Sequence, residues 1–170
     1  MENVIGVVLI ALAVLSTAWD IKTYRIPNWL TFGGMTAGLV MGGIANGLQG
    51  VQSSLTGLLA GGLILLPFFL LGGMGGGDVK LAAAFGAIGG AYFVFNALLI
   101  GAIAGGVSGI IVLFVKFGIV GAFKKLYWDL AALFVKVKPA VNEKMVLPYG
   151  VFLSLGAVLS YFVGGVLIAL

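Results

Sequence analysis

Leu55–Lys80 reads LTGLLAGGLILLPFFLLGGMGGGDVK. Its first part, Leu55–Leu71, carries no charged side chain. It approaches the length of about 20 apolar residues that a helix needs to cross a bilayer. A glycine-rich turn follows, Gly72–Gly77, and leads into Asp78 at the head of the next apolar run. That order describes a helical chain embedded in a membrane. It also leaves an ionisable group at the edge of the hydrocarbon, where a charge is costly and is kept for function.

The remaining sequence has the same character. Of its 170 residues, 62% are hydrophobic and only 8% charged, and the mean hydropathy is +1.24. Soluble domains carry roughly a quarter charged residues, and disorder requires low hydrophobicity with high charge, so both classes are excluded. Further apolar runs lie near Val4–Trp19, Trp29–Ala45, Val79–Phe95, Leu98–Val120 and Val146–Leu170. The first is not expected to be a cleaved signal, since the residues ahead of it include Glu2 and no Lys or Arg. The expectation is an all-α integral membrane protein with about six transmembrane helices, in one membrane-embedded domain over residues 1–170.

Charge placement orients the spans. Six crossings put Lys22, Arg25, Lys80, Lys124, Lys125, Lys136, Lys138 and Lys144 in loops on one side. The other side receives Glu2, the uncharged stretch Asn46–Ser54 and a tight turn near Asn96. Basic loops stay in the cytoplasm, so both termini are expected outside an inner (plasma) membrane that the chain crosses repeatedly. Within Gly121–Lys138, Phe123, Leu126, Tyr127, Leu130, Phe134 and Val137 recur at helical spacing. That pattern predicts an amphipathic helix lying in the interface and ended by Pro139. The net charge of +4 includes no dense basic run. The bilayer is the expected partner, and nucleic acid is not.

The chain has no cysteine and no histidine. Disulfides, thiolate zinc sites, cysteine nucleophiles and histidine-based catalysis are therefore excluded. The acidic residues are Glu2, Asp20, Asp78, Asp129 and Glu143. Asp20 closes the first apolar run and Asp78 opens the fourth, so the topology sets both at the cytoplasmic face. Two close carboxylates resist double ionisation, so one holds a proton while the other stays charged. Together they can activate a water and protonate a carbonyl, without metal or cofactor. Asp78 at a helix start also suits a simple cap. Gly75 and Gly77 permit close approach of another backbone beside Asp78, and a side chain at Gly77 would obstruct an extended peptide there. The many other glycines, such as Gly34, Gly38 and Gly42, read as packing faces. A small ion-coupled transporter or channel using the two aspartates, or a membrane scaffold, would also fit the composition.

Three blocks carry a resemblance. They are Asp20-Ile-Lys-Thr-Tyr-Arg-Ile-Pro-Asn28, Gly75-Gly76-Gly77-Asp78-Val79-Lys80-Leu81 and Pro148-Tyr149-Gly150-Val151-Phe152-Leu153. In order and spacing they resemble the type IV prepilin peptidases, membrane aspartyl proteases of the GxGD class. The resemblance implies cleavage of the leader from type IV prepilins or related pseudopilins at the cytoplasmic membrane face, after a glycine. It implies Asp20 and Asp78 as the catalytic pair. Gly75, Gly77, Lys80, Pro148, Tyr149 and Gly150 would shape the site or bind substrate. Long members add a cysteine-containing cytoplasmic segment and methylate the new N-terminus. This chain has neither cysteine nor such a segment, so the resemblance is to a short form, without methyltransferase activity expected.

Overall fold

The computed structural model describes residues 2–134 and 148–168. All of its regular structure is helical: α1 (Glu2–Thr23), α2 (Asn28–Leu70), α3 (Gly76–Phe134) and α4 (Tyr149–Ile168). The chain forms two compact units. One comprises Met1–Ala104 with Pro148–Leu170, and the other Gly105–Leu147. Among the described residues, three helical stretches are long and apolar enough to cross a membrane, Asn3–Thr23, Asn28–Leu70 and Gly76–Lys116.

Two of the long helices fold back on themselves. A straight helix of α2's 43 residues would reach about 64 Å, twice the thickness of a hydrocarbon core. Instead Asn46 (φ −134°, ψ 19°) and Gly47 (φ 57°, ψ −134°) leave helical geometry. The Ser54 hydroxyl then donates to the Gly38 carbonyl at 3.1 Å. Those residues would stand about 24 Å apart along one straight helix, so α2 is a hairpin of two arms. In α3 the break falls at Gly90 (φ 84°). Before it, α3 runs beside α2, with Gly57 against Gly86 and Gly61 against Ala82. After it, α3 lies antiparallel to α4: the Ser160 hydroxyl donates to the Phe93 carbonyl, Gly156 meets Ala97, and Gly101 meets Phe152.

These breaks correct two boundaries read from sequence. The stretch 48–54 is helix, not loop, and Asn96 lies within α3, six residues beyond the turn at Gly90. A polar Asn in an apolar run resembles a turn, whereas Gly89-Gly90 carries no polarity to mark one. At Gly118 (φ 66°) α3 leaves right-handed geometry again, and its helix continues to Phe134. Pro139, Lys136, Lys138 and Lys144 lie outside the described residues, as do the side chains of Lys124 and Lys125.

In the first unit, the core centres on the start of α3. Leu81, Ala82, Ala83, Ala84, Phe85, Ala87 and Ile88 are all buried. A helix apolar on every face, as this segment is, belongs inside a bundle. Glycines bring its neighbours close. A Cβ on Gly34 would stand 2.9 Å from Leu12 and 3.1 Å from Ala84, and one on Gly38 would stand 2.5 Å from the Ala87 backbone. Without a hydrophobic force between helices in lipid, such close packing is what holds them together.

Candidate active site

The site lies where four chain segments end or begin. Helix α1 stops because Tyr24 turns left-handed (φ 52°), with its N–H donating to the Asp20 carbonyl at 2.8 Å. Thr23 caps further carbonyls, its hydroxyl lying 2.9 Å from both the Trp19 and Arg25 oxygens. Pro27, extended at φ −68° and ψ 140°, then starts α2. The second arm of α2 ends in a Schellman turn. Gly72 (φ 76°) takes the left-handed position, its N–H donates to Phe69, and the Gly73 N–H donates to Phe68. Glycine is needed there because a Cβ would be strained at that angle.

Asp78 is the third residue of α3 and is buried, at 8% exposure. Its Oδ2 accepts the Gly75 N–H at 3.2 Å, while its own N–H donates to the Gly75 carbonyl at 3.1 Å. This reciprocal pair is the return half of a capping box. A Cβ on Gly75 would approach Asp78 Oδ2 to 3.1 Å, so Gly75 makes room for the carboxylate itself.

Asp20 lies in the last turn and a half of α1, at 4% exposure. Its carboxylate meets the first turn of α4. A Cβ on Gly150 would stand 2.9 Å from Asp20 Oδ2 and 3.1 Å from its Cγ. The backbone amides of Gly150 and Val151 bear on the carboxylate electrostatically, as the positive end of a helix should. Even so, Oδ2 is buried without a hydrogen-bond partner among the described residues. The two carboxylates, 58 positions apart (78 − 20), lie at helix ends that share a contact: Ile26 packs against both Gly150 and Gly77.

Ile26 joins the parts. It is buried, its Cδ1 would lie 2.8 Å from a Cβ on Gly150, and its backbone lies 3.4–3.5 Å from the position of a Cβ on Gly77. The space beside Gly77 is thus taken by the chain's own loop, not left for a peptide alone. Lys80 is half-buried. Its Nζ donates to Asn28 Oδ1 at 2.9 Å and sits 5.4 Å above the Phe32 ring. Asn28 is hence the acceptor for Lys80. Pro148 and Tyr149 are half-buried at the start of α4, where the Pro148 carbonyl accepts the Val151 N–H.

Sequence reading missed Ile26 and a buried pair, Ser16 and Ser154, whose hydroxyls are 2.9 Å apart. The available signal was spacing: Ser16 lies one helical turn before Asp20, and Ser154 one turn after Gly150.

Fold and site define a helical protein of membrane type, with two buried carboxylates held at the ends of different helices. The profile of the type IV leader peptidase family matches residues 7–110, well over half the chain. The chain belongs to that family. The match takes in both aspartates and the turns that hold them. Comparison with curated proteins and with solved structures gives no significant match.

Proposed function

We propose that this protein is an aspartic endopeptidase. It removes the leader from type IV prepilins or prepilin-like proteins at the cytoplasmic face of the inner membrane, cutting after a glycine. Asp20 and Asp78 are its catalytic pair. The observation that carries this reading is their convergence: both are buried, and Ile26 packs against Gly150 beside Asp20 and against Gly77 beside Asp78. Membership of the leader peptidase family supplies the class of reaction.

The chemistry needs only the pair and a water. One carboxylate takes a proton from water, which attacks the scissile carbonyl, and the other donates a proton to the carbonyl oxygen. Titration belongs to the pair, so neither residue alone is the acid or the base. The substrate is itself an apolar helix, and it reaches the site through the bilayer with its leader in the cytoplasm.

Six crossings fit the arms described above. From the end that holds the aspartates, α2 leaves and returns, and α3 leaves and returns. Helix α1 arrives at that end and α4 departs from it, with Gly6 against the Tyr161 ring near the far end. Lys22, Arg25 and Lys80 all stand at the aspartate end, which supports reading it as the cytoplasmic end.

The test is co-expression with a candidate prepilin, reading leader removal by gel shift and mass spectrometry. Wild type is expected to cut after a glycine and leave an unmethylated N-terminus. Asp20→Asn and Asp78→Asn should each be inserted in the membrane yet lose cleavage by at least about a thousandfold. Cleavage retained by either variant would end the dyad.

A further inference from the structure

We propose that Ser16 and Ser154 are positioning residues, whose hydrogen bond sets the distance between the Asp20 carboxylate and the first turn of α4. The inference rests on the reading of Asp20 as catalytic.

The two carboxylates are held by different means. Asp78 is fixed by its own helix start, through the Gly75 N–H. Asp20 has no anchor on its own helix: its carboxylate faces the backbone amides of Gly150 and Val151 on α4, and its Oδ2 has no hydrogen-bond partner among the described residues. The place of Asp20 is set by how α1 packs on α4. Where the carboxylate touches α4, the contact is with the Gly150 backbone, and there is no room for even a methyl group. A small slide of α4 would either press on the carboxylate or withdraw the positive helix end from it.

One turn further into the bundle, a directional bond fixes that slide. Ser16 precedes Asp20 by four residues and Ser154 follows Gly150 by four, so each lies on the same helix face as its neighbour. Ser16 is 0% exposed and Ser154 3%. The single hydroxyl proton of Ser16 goes to the Ala13 carbonyl at 3.1 Å. Either hydroxyl can donate in the 2.9 Å bond between them; with the Ser16 proton on Ala13, Ser154 donates and both protons are used. The bond between Ser154 and Ser16 joins α4 directly to α1, one turn from the carboxylate.

Ser154→Ala tests this cleanly. Ser16 keeps its bond to Ala13, so no donor is left buried and unpaired. Full-length protein in lipid is assayed for prepilin cleavage. The infrared carboxyl band of Asp20, identified by its loss in Asp20→Asn, is recorded in parallel. Expected is a fall in kcat of about tenfold, in line with small misplacements of catalytic groups. KM should stay within about twofold, the Asp20 band should shift, and Ser154→Thr should restore both. A kcat unchanged within twofold, a loss carried by KM alone, or an unmoved band would overturn the proposal. If wild type cleaves no prepilin, the peptidase reading has failed, and the band alone decides: a shift upholds the positioning role and no shift overturns it. Should Ser154→Ala not insert, Ser16→Cys replaces it, keeping a small side chain while weakening the acceptor.

Discussion

Asp20 and Asp78 were legible as residues because an ionisable group at the edge of an apolar run needs a reason to be there. Their supports were less legible. The glycines around them look alike in sequence but do different work. A Cβ on Gly150 would stand 2.8 Å from Ile26 and 2.9 Å from Asp20 Oδ2, closer than side chains pack. Gly150→Ala is therefore expected to lower kcat for prepilin cleavage by about a hundredfold, the scale of a 1 Å misplacement. A Cβ on Gly77 would meet Ile26 no closer than 3.3 Å, so Gly77→Ala should keep activity within a few-fold. Equal loss in both variants would mean that Gly77 clears the substrate path, as its sequence position first implied. Lys80 gives a second contrast. Its bond to Asn28 ties the loop after Asp20 to the helix that carries Asp78. Lys80→Met should slow cleavage about tenfold while costing under about 1 kcal/mol of stability, because a half-exposed polar link contributes little to folding. Thermal inactivation measured beside the cleavage rate separates the two effects. Spacing alone could not reveal this bond, since its partners are 52 positions apart.

Among the elements, the apolar runs could be read directly, because each needs only length and the absence of charge. The turns could not. Asn46 lies at a real reversal, and Asn96 does not. What separates them is the neighbouring backbone: Gly47 supplies the positive φ after Asn46, while the reversal near Asn96 is supplied earlier, by Gly90. The glycines inside the arms show a similar division. Gly38 faces the backbone of α3, where a Cβ would lie 2.5 Å from Ala87 and 2.7 Å from the Ile88 nitrogen. Backbone cannot give way as a flexible side chain can. Gly38→Ala should destabilise by about 1–3 kcal/mol, the usual cost of overpacking. Five residues earlier, a Cβ on Gly33 meets nothing within 4 Å. Gly33→Ala should stabilise by about 0.5–1 kcal/mol through helix propensity alone. Resistance to heating in detergent, followed by the monodisperse fraction, should move in opposite directions for the two variants. Loss in both would indicate that the Gly33 face also packs, against a second molecule.

At the scale of the whole molecule, the proposed six-crossing topology draws on two sources, charge asymmetry in the sequence and the hairpins in the structure. The first counts lysines and arginines on either side of the apolar runs. The second follows which residues touch: Ile26 lies against Gly77 and Gly150 at one end, and Gly6 against Tyr161 towards the other. A competing topology has α2 crossing the membrane once, as a single long helix. The two differ in where Leu48 lies. In the hairpin it follows the reversal at Asn46–Gly47, and it is 74% exposed. In a single crossing it would sit near the middle of the hydrocarbon. Because the chain has no cysteine, one introduced thiol can be followed without background. Leu48→Cys should react with a membrane-impermeant maleimide added to intact cells. Lys22→Cys and Leu71→Cys, both exposed at the aspartate end, should react only after the membrane is opened. A Leu48→Cys that reacts in neither state would favour the single crossing. A Leu48→Cys that reacts only after opening, with Lys22→Cys reacting from outside, would invert the protein and place its carboxylates on the wrong side for a leader held in the cytoplasm.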